Sequence, residues 1–209
     1  MNVLHIDSSA TGAASVSRQL TAAAVQILRD SDPDAKVIYR DFAEAAPAHL
    51  GPTLLQALRP QPGIDPKLDP EVADELHLTE TLVSEFLKAD VVILGAPMYN
   101  FSIPSSLKAW IDRVAQAGRT FRYTAKGPVG LAGGKKVLVI SSRGGLLSGT
   151  PAEAALDHQE AYLRAVMGFF GITDVQVIRA EGLALSADSR KQAIEHALEE
   201  LALCSEVVA

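Results

Sequence analysis

Residues 90–101 read DVVILGAPMYNF, and this stretch decides the fold. Its first half carries four consecutive apolar residues, Val91 to Leu94, which is typical of a central strand covered on both faces. Its second half is a turn segment with two aromatic residues, a methionine and an amide. A second continuous apolar run, from Val137 to Ile140, repeats the strand pattern. Two such runs predict a parallel sheet with helices on both sides.

Segments of helical periodicity separate five predicted strands. The strands are predicted at Val3–Ile6, Lys36–Arg40, Asp90–Gly95, Lys136–Ser141 and Asp174–Arg179. Apolar residues recur at i, i+3, i+4 and i+7 in segments that end at Val114, Phe170 and Leu201. Strands that alternate with helices require right-handed crossover connections. The predicted fold class is therefore α/β, a three-layer α/β/α sandwich with a five-stranded parallel sheet.

Three local signals predict helix boundaries, and two stretches escape regular assignment. Asp69 precedes a proline and an acidic residue, as at a helix N-cap, and Gly171 follows a periodic segment, as at a C-cap. Thr150 opens the sequence TPAE, which predicts a capping box. Residues 43–68 show weak periodicity, and residues 118–134 are glycine-rich with a central FRYT sequence that is compatible with a hairpin.

Composition limits the classes of protein that the chain can represent. Its 209 residues favour a single domain that spans residues 1–209. Nineteen Lys and Arg residues against 25 Asp and Glu residues give a net charge of −6, which argues against nucleic acid as a partner. Cys204 is the only cysteine, so an internal disulfide is excluded. Because there is neither a membrane-length apolar run nor a basic leader, we expect a cytoplasmic protein with no membrane partner.

Three connections leave the carboxyl ends of predicted strands, where open parallel sheets bind their ligands. We call them rim loop 1 (residues 7–18, DSSATGAASVSR), rim loop 2 (residues 96–104, APMYNFSIP) and rim loop 3 (residues 142–145, SRGG). Because all three lie at one edge of the same predicted sheet, we expect them to form a single site.

Rim loop 1 is dense in hydroxyl groups and runs into a helix that begins near Ser15 or Ser17. A helix N-terminus offers free backbone N–H groups and the positive end of a dipole, so this loop suits a phosphate monoester. The loop lacks the G-x-G-x-x-G pattern of a dinucleotide turn, and the chain has no P-loop motif. The alternative interpretation is that Ser15 only caps the helix and that the other serines are solvated.

Rim loops 2 and 3 suit a flat heteroaromatic ring. Met98 and the aromatic side chains of rim loop 2 can lie along such a ring while backbone groups bind its polar edge. The alternative is a packed turn whose aromatic side chains join the core. In rim loop 3, Gly144 and Gly145 would let the backbone approach a ligand closely and adopt positive φ.

Several segments together resemble one known family. They are the serines of rim loop 1 with SVS at 15–17, APMYNF at 96–101, TFRYT at 120–124, SSRGG at 141–145, GITD at 171–174 and AEG at 180–182. Over essentially its whole length the chain resembles the FMN-dependent NADH azoreductases, which belong to the NAD(P)H quinone oxidoreductase group of flavodoxin-like proteins. The resemblance implies a flavodoxin-like sandwich and one non-covalent FMN in each subunit of a homodimer, with the active site near the subunit interface.

The cofactor contacts that the resemblance implies fall in the three rim loops. They are Ser9, Ser15, Val16 and Ser17 for the phosphate and ribityl chain, Pro97, Met98, Tyr99, Asn100 and Phe101 along the ring, and Ser142, Arg143, Gly144 and Gly145 at its other polar edge. NADH or NADPH would be the electron donor, and quinones or aromatic azo compounds would be the acceptors in a ping-pong cycle. The N–H groups of rim loop 3 would stabilise negative charge that develops on the ring.

The chain differs from some relatives in the residues that follow rim loop 3. Those relatives carry a histidine shortly after SRGG, whereas residues 146–149 read LLSG here. The chain therefore lacks that side chain as a proton donor. Tyr123 is a weaker candidate, because a tyrosine pKa near ~10 makes a poor acid and a hairpin residue packs more readily at a subunit interface.

Other classes of function fit the sequence less well. An FMN-carrying electron-transfer or flavin-sensing protein without direct NAD(P)H turnover is the main alternative, because fold alone does not exclude it. A serine hydrolase is disfavoured because the chain has no G-x-S-x-G elbow. A metal site is not expected, because the five histidines include no H-x-x-x-H pair.

Overall fold

The computed structural model describes residues 1–60, 63 and 69–203. Part of the predicted irregular stretch 43–68 and Cys204 lie outside the described residues. Within the described ranges, no helix is both long and apolar enough to cross a membrane.

Five parallel strands form the central sheet in the order β2-β1-β3-β6-β7. Their bounds are Asn2–Asp7 (β1), Lys36–Asp41 (β2), Val91–Pro97 (β3), Lys136–Ser142 (β6) and Asp174–Ala180 (β7). All five predicted strands are confirmed: each runs one or two residues further at its carboxyl end, β1 begins one residue earlier, and β3 begins one residue later than predicted. Strand order reverses between β1 and β3, because the chain winds to one side as far as β2 and to the other side from β3 onward.

Helices cover both faces of this sheet. Their bounds are Val16–Ser31 (α1), Pro52–Leu58 (α2), Pro70–Lys88 (α3), Ser105–Val114 (α4), Glu153–Leu156 (α5), His158–Phe169 (α6) and Ala187–Leu203 (α7). Val91 and Ile93 of β3 pack in one core with α1 and α7, whereas Val92 and Leu94 pack in a second core with α3, α4 and α6. The continuous apolar run of β3 therefore fills two cores, as the sequence predicts.

A two-stranded antiparallel hairpin, Phe121–Thr124 (β4) and Gly127–Gly130 (β5), interrupts the alternation. Its base lies against the end of α6, where a Cβ on Gly130 would come within 2.0 Å of the Gly171 nitrogen. Gly171 has φ +90°, as expected for the predicted C-cap. Glycine at both positions therefore lets the two backbones touch.

Of the two predicted N-caps, one is confirmed and one is wrong. Asp69 caps α3, because its carboxylate accepts a hydrogen bond from the Val72 N–H at 2.9 Å. Thr150 caps no helix: its hydroxyl donates to the Leu147 carbonyl at 2.7 Å, and α5 begins only at Glu153. The Glu153 carboxylate accepts from the Gly149 N–H at 2.7 Å, so the pattern closes a tight turn instead.

Candidate active site

The carboxyl ends of β1, β3 and β6 meet at one edge of the sheet, and the three rim loops lie there side by side. Rim loops 2 and 3 are joined by a hydrogen bond from the Met98 N–H to the Ser142 carbonyl at 2.9 Å. Two cavities open at this edge and share Met98, Arg143 and Gly144 in their linings. We call the one bounded by rim loop 1 the hydroxyl cavity, and the one bounded by residues 143–156 the apolar cavity.

The hydroxyl cavity has a volume of about 330 Å³ and lies against the first turn of α1. Its lining includes Ser9, Ser15 and Val16, three of the four predicted residues of rim loop 1. Pro97 and Ser142 contribute from the other two rim loops. The structure thus brings the three loops together around one space.

Ser15 and Ser17 differ in position. Ser15 is the N-cap of α1, since its hydroxyl accepts from the Arg18 N–H at 3.3 Å, and it also lines the hydroxyl cavity. Ser17 is fully buried and lines neither cavity, and its hydroxyl lies 3.0 Å from that of Ser15. Ser17 therefore orients Ser15 and presents no hydroxyl to the cavity.

Tyr99 connects rim loop 2 to rim loop 1. Its hydroxyl accepts a hydrogen bond from the Ala10 N–H at 3.0 Å and lies 3.3 Å from the Ser9 hydroxyl. Tyr99 lines the hydroxyl cavity and does not line the apolar cavity. It therefore belongs to the end of the site that carries hydroxyl groups.

The apolar cavity has a volume of about 450 Å³. The predicted residues in its lining are Met98, Asn100, Phe101, Arg143, Gly144 and Gly145. The other lining residues were not predicted as part of the site: Leu146, Leu147, Thr150, Ala152 and Leu156. Arg143 is the only ionisable side chain in the described lining, so the cavity suits an uncharged or delocalised aromatic molecule.

Asn100 and Phe101 form the tip of a tight turn. Tyr99 and Ser102 exchange two backbone hydrogen bonds across it, at 2.9 and 3.0 Å. Asn100 has φ +48° and Phe101 has φ +69°, as at the two central positions of a type I′ turn. Asparagine tolerates this region, whereas a phenylalanine is strained in it. The turn thus holds the Phe101 ring at the cavity wall with local backbone strain, which clusters at functional sites.

The backbone of rim loop 3 is oriented by the connection that follows β7. The carbonyls of Arg143, Gly144 and Gly145 accept hydrogen bonds at 2.9–3.1 Å from the N–H groups of residues 182–184. The N–H groups of Gly144 and Gly145, by contrast, donate to no acceptor in the described part of the chain. Two free donors at a cavity wall are what a ligand with an acceptor edge requires.

The expectation that Gly144 and Gly145 adopt positive φ is wrong. Neither Gly144 nor Gly145 has positive φ, so the backbone conformation does not require glycine. A Cβ on Gly145 would meet no atom of the chain within 4 Å and would extend into open space. The absence of a side chain therefore keeps space free beside the cavity.

The guanidinium of Arg143 is buried and fully paired. It donates to the Ser141 hydroxyl at 3.0 Å and to the carboxylates of Asp157, Glu160 and Glu181 at 2.7, 2.6 and 3.1 Å. Asp157 is the N-cap of α6, so the arginine joins rim loop 3, α6 and the connection after β7. Because these carboxylates take up its charge, its side chain positions rim loop 3 and leaves the backbone to face the cavities.

Glu181 supports the same loop from the end of β7. Its Oε1 accepts from the N–H groups of Leu147 and Ser148 at 3.3 and 3.2 Å. These bonds hold the leucine wall of the apolar cavity in place. Glu181 could have been predicted as a site residue from the sequence, because it follows the carboxyl end of β7 at the same edge of the sheet.

A buried carboxylate lies beneath rim loop 1. Asp7 ends β1 and accepts hydrogen bonds from the hydroxyls of Thr21 at 2.8 Å and Tyr39 at 3.0 Å. Burial raises the pKa of Asp7, but the neighbouring His5, Thr21 and Tyr39 lower it by more, so the pKa lies below its usual value. A Cβ on Gly95 would come within 2.5 Å of this carboxylate. The network anchors the start of rim loop 1.

Tyr123 lies away from both cavities of its own chain. It is on β4, is 74% exposed and contacts Phe121 edge-on at a centroid distance of 5.4 Å. Neither cavity includes it in its lining. A catalytic contribution from Tyr123 would therefore have to be made in a neighbouring subunit.

Comparison with known proteins places the chain in a family. A family model described as a flavodoxin-like fold matches residues 1–203. A protein of Azospirillum brasilense named FMN-dependent NADH:quinone oxidoreductase is 57% identical over 203 residues, 96% of each chain. A protein of the same name from Ralstonia nicotianae is 57% identical and is covered over 94% of this chain and 93% of its own.

A solved structure agrees with this placement. The crystal structure of azoreductase from Bacillus anthracis str. Sterne matches with a TM-score of 0.86 at 31% identity and covers 98% of each chain. The predicted flavodoxin-like sandwich is thereby confirmed. The chain therefore belongs to the flavodoxin-like fold family, in the group of relatives named FMN-dependent NADH:quinone oxidoreductase.

Proposed function

We propose that this protein is an FMN-dependent NADH:quinone oxidoreductase that also cleaves the azo bond of aromatic azo compounds to amines. The observation that carries the proposal is the pair of connected cavities beside the unpaired N–H groups of Gly144 and Gly145. The names of the relatives and of the azoreductase structure support the same activity.

The residues at the rim fit FMN. The hydroxyl cavity offers serine hydroxyls and the N-terminus of α1, which together suit a phosphate monoester. The apolar cavity offers Met98 and Phe101 as contacts for a flat ring, and the space beside Gly145 leaves room for its edge. A molecule with a phosphate at one end and a planar ring at the other matches two cavities that meet at Met98.

Each rim loop then has a role of its own. When bound, FMN would supply the two-electron hydride chemistry between NADH and the acceptor. The N–H groups of Gly144 and Gly145 would hold the polar edge of the ring and stabilise negative charge there, and loss of one such donor typically costs about 2.7–4 kcal/mol of barrier. Leu146, Leu147 and Leu156 would give the space for donor and acceptor an apolar wall.

We infer a ping-pong order and solvent protons from the same lining. The apolar cavity offers one space for both NADH and the acceptor, so the oxidised nicotinamide must leave before the acceptor enters. Asn100 and Thr150 are polar but do not ionise, and Arg143 is already paired. We therefore assign the protons needed by a reduced quinone or azo nitrogen to solvent.

A homodimer would complete the site. Phe101 and Leu146 are 49% and 64% exposed at the apolar cavity, and Tyr123 is exposed on the protruding hairpin. Exposed apolar side chains grouped around a functional cleft favour a protein partner. We therefore place the active site at an interface between two copies of the chain. Each copy forms a single domain over residues 1–209, in the cytoplasm.

The direct test is steady-state oxidation of NADH by FMN-loaded protein after addition of a quinone, followed at the absorbance band of NADH. Turnover without any added reductase supports the proposal, whereas a one-electron shuttle would need a dedicated reductase and would show almost none. A parallel assay with an azo dye measures loss of dye colour. Sedimentation of the loaded protein then tests the dimer, and a monomer at working concentration would contradict an active site shared between subunits.

A further inference from the structure

An arginine from the far end of the chain reaches the hydroxyl cavity. Arg190 lies in the first turn of α7, and its side chain lines this cavity together with Ser15 and Val16. Its Nη2 donates to the Ala14 carbonyl at 3.4 Å, which bridges α7 and rim loop 1 across 176 residues of sequence. Only the fold brings this cation to the N-terminus of α1.

Arg190 differs from the other arginines near the rim because no described carboxylate pairs with its charge. Arg143 is paired with three carboxylates, and Arg18 is paired with Asp41 at 2.5 Å and lines neither rim cavity. Among the residues that the structure describes, no carboxylate lies within ion-pair distance of Arg190. Rim loop 1 contains no other basic residue between Asp7 and Arg18. The hydroxyl cavity therefore has one uncompensated cation in its described lining.

We propose that Arg190 determines the specificity of this site for the phosphorylated flavin, by pairing with the phosphate monoester of FMN. The inference rests on the proposed function, because it requires that the phosphate lies in the hydroxyl cavity. The N–H groups of the first turn of α1 would donate hydrogen bonds to the phosphate oxygens, and the Arg190 guanidinium would supply the net positive charge that a dianion needs. Riboflavin, which has no phosphate, gains nothing from either.

The test is a comparison of flavin affinities in apoprotein variants. Arg190→Gln removes the charge but retains a polar side chain, and Arg190→Lys retains the charge. Lys191→Gln is the matched control, because Lys191 is adjacent on α7, pairs with Glu195 and lines neither rim cavity. Each protein is titrated with FMN and with riboflavin, with quenching of flavin fluorescence as the readout, at about 50 and 300 mM salt.

For Arg190→Gln we expect a loss of about five- to tenfold in FMN affinity at low salt, with riboflavin affinity unchanged within twofold. The loss should shrink at high salt, because the lost interaction is between exposed charges. Lys191→Gln should match the wild type, and Arg190→Lys should lie closer to the wild type than Arg190→Gln does.

An equal loss of FMN affinity in Arg190→Gln and Lys191→Gln would overturn the proposal, since the loss would then be due to the change in overall charge. An equal loss for FMN and riboflavin would overturn it too, because the arginine would then act on the ring or on the fold. If the proposed function itself were wrong, the wild-type protein would bind neither FMN nor riboflavin, and this outcome is distinct from both of the others.

Discussion

Replacement of Phe101 tests whether the turn at the cavity wall is strained for function. Phe101 has φ +69°, and this left-handed region costs a residue with a Cβ about 1–2 kcal/mol. Phe101→Ala removes the ring and keeps the Cβ, whereas Phe101→Gly removes both. The two variants therefore differ only in the strain and in the extra freedom of glycine in the unfolded chain.

The size and sign of the difference follow from these two effects. Glycine relieves about 1–2 kcal/mol of strain, and its unfolded-state freedom costs about 0.4–1 kcal/mol. At the middle of both ranges, the free energy of unfolding of Phe101→Gly should exceed that of Phe101→Ala by about 0.8 kcal/mol. Both variants should bind FMN more weakly than the wild type, because both lose the apolar contact with the ring.

Urea denaturation of the apoproteins measures the first expectation, and flavin titration measures the second. The control is Ala125→Gly in the exposed turn between β4 and β5, where φ is not positive. There glycine should lower the free energy of unfolding by about 0.4–1 kcal/mol, the opposite sign. A Phe101→Ala variant at least as stable as Phe101→Gly would show that the turn is not strained at Phe101. Full FMN affinity in both variants would show that the ring of Phe101 makes no contact with the flavin.

Three further variants address the rest of the site. Arg143→Lys keeps the charge but cannot reach three carboxylates. The free energy of unfolding in urea should therefore fall, by less than the about 3–5 kcal/mol that follows complete loss of a buried partner, and flavin affinity should fall with it. An unchanged urea midpoint would contradict the positioning role of Arg143. Gly145→Ala should leave the urea midpoint of the apoprotein unchanged, because the added Cβ meets no protein atom, but it should weaken FMN binding. FMN affinity equal to that of the wild type would show that the ligand does not use the space beside Gly145. The pKa of Asp7 is lowered in the folded protein, so its contribution to stability is present above the unfolded pKa near ~4 and is lost as the pH falls through the folded value. Asp7→Asn should therefore flatten the fall in unfolding free energy below about pH 4, and a slope identical to that of the wild type would contradict the assignment.

The sequence predicts the middle of the sheet well because the central strands β3 and β6 are buried on both faces. Burial of this kind requires runs such as Val91 to Leu94 and Val137 to Ile140, which stand out without any tertiary information. The rim loops are predictable for a related reason, since their position after such strands follows from topology alone. The cap at Asp69 is local as well, and it is confirmed.

The predictions that failed depend on contacts that a local pattern does not contain. The TPAE pattern at Thr150 is compatible with a turn or a helix start, and hydrogen bonds to Gly149 and Leu147 decide for the turn. Positive φ was expected at Gly144 and occurs at Asn100 and Phe101, although the type I′ turn usually favours glycine. Arg190 gave no sequence signal, because only the packing of α7 beside α1 brings it to the hydroxyl cavity.

The span of the hydroxyl cavity along the chain has a consequence for biosynthesis. Its walls include Ser9 from the first connection and Arg190 from the last helix. While a ribosome is still adding the C-terminal fifth of the protein, one wall of this space does not yet exist. The complete lining of this space therefore forms only after α7 has emerged from the ribosome and packed beside α1.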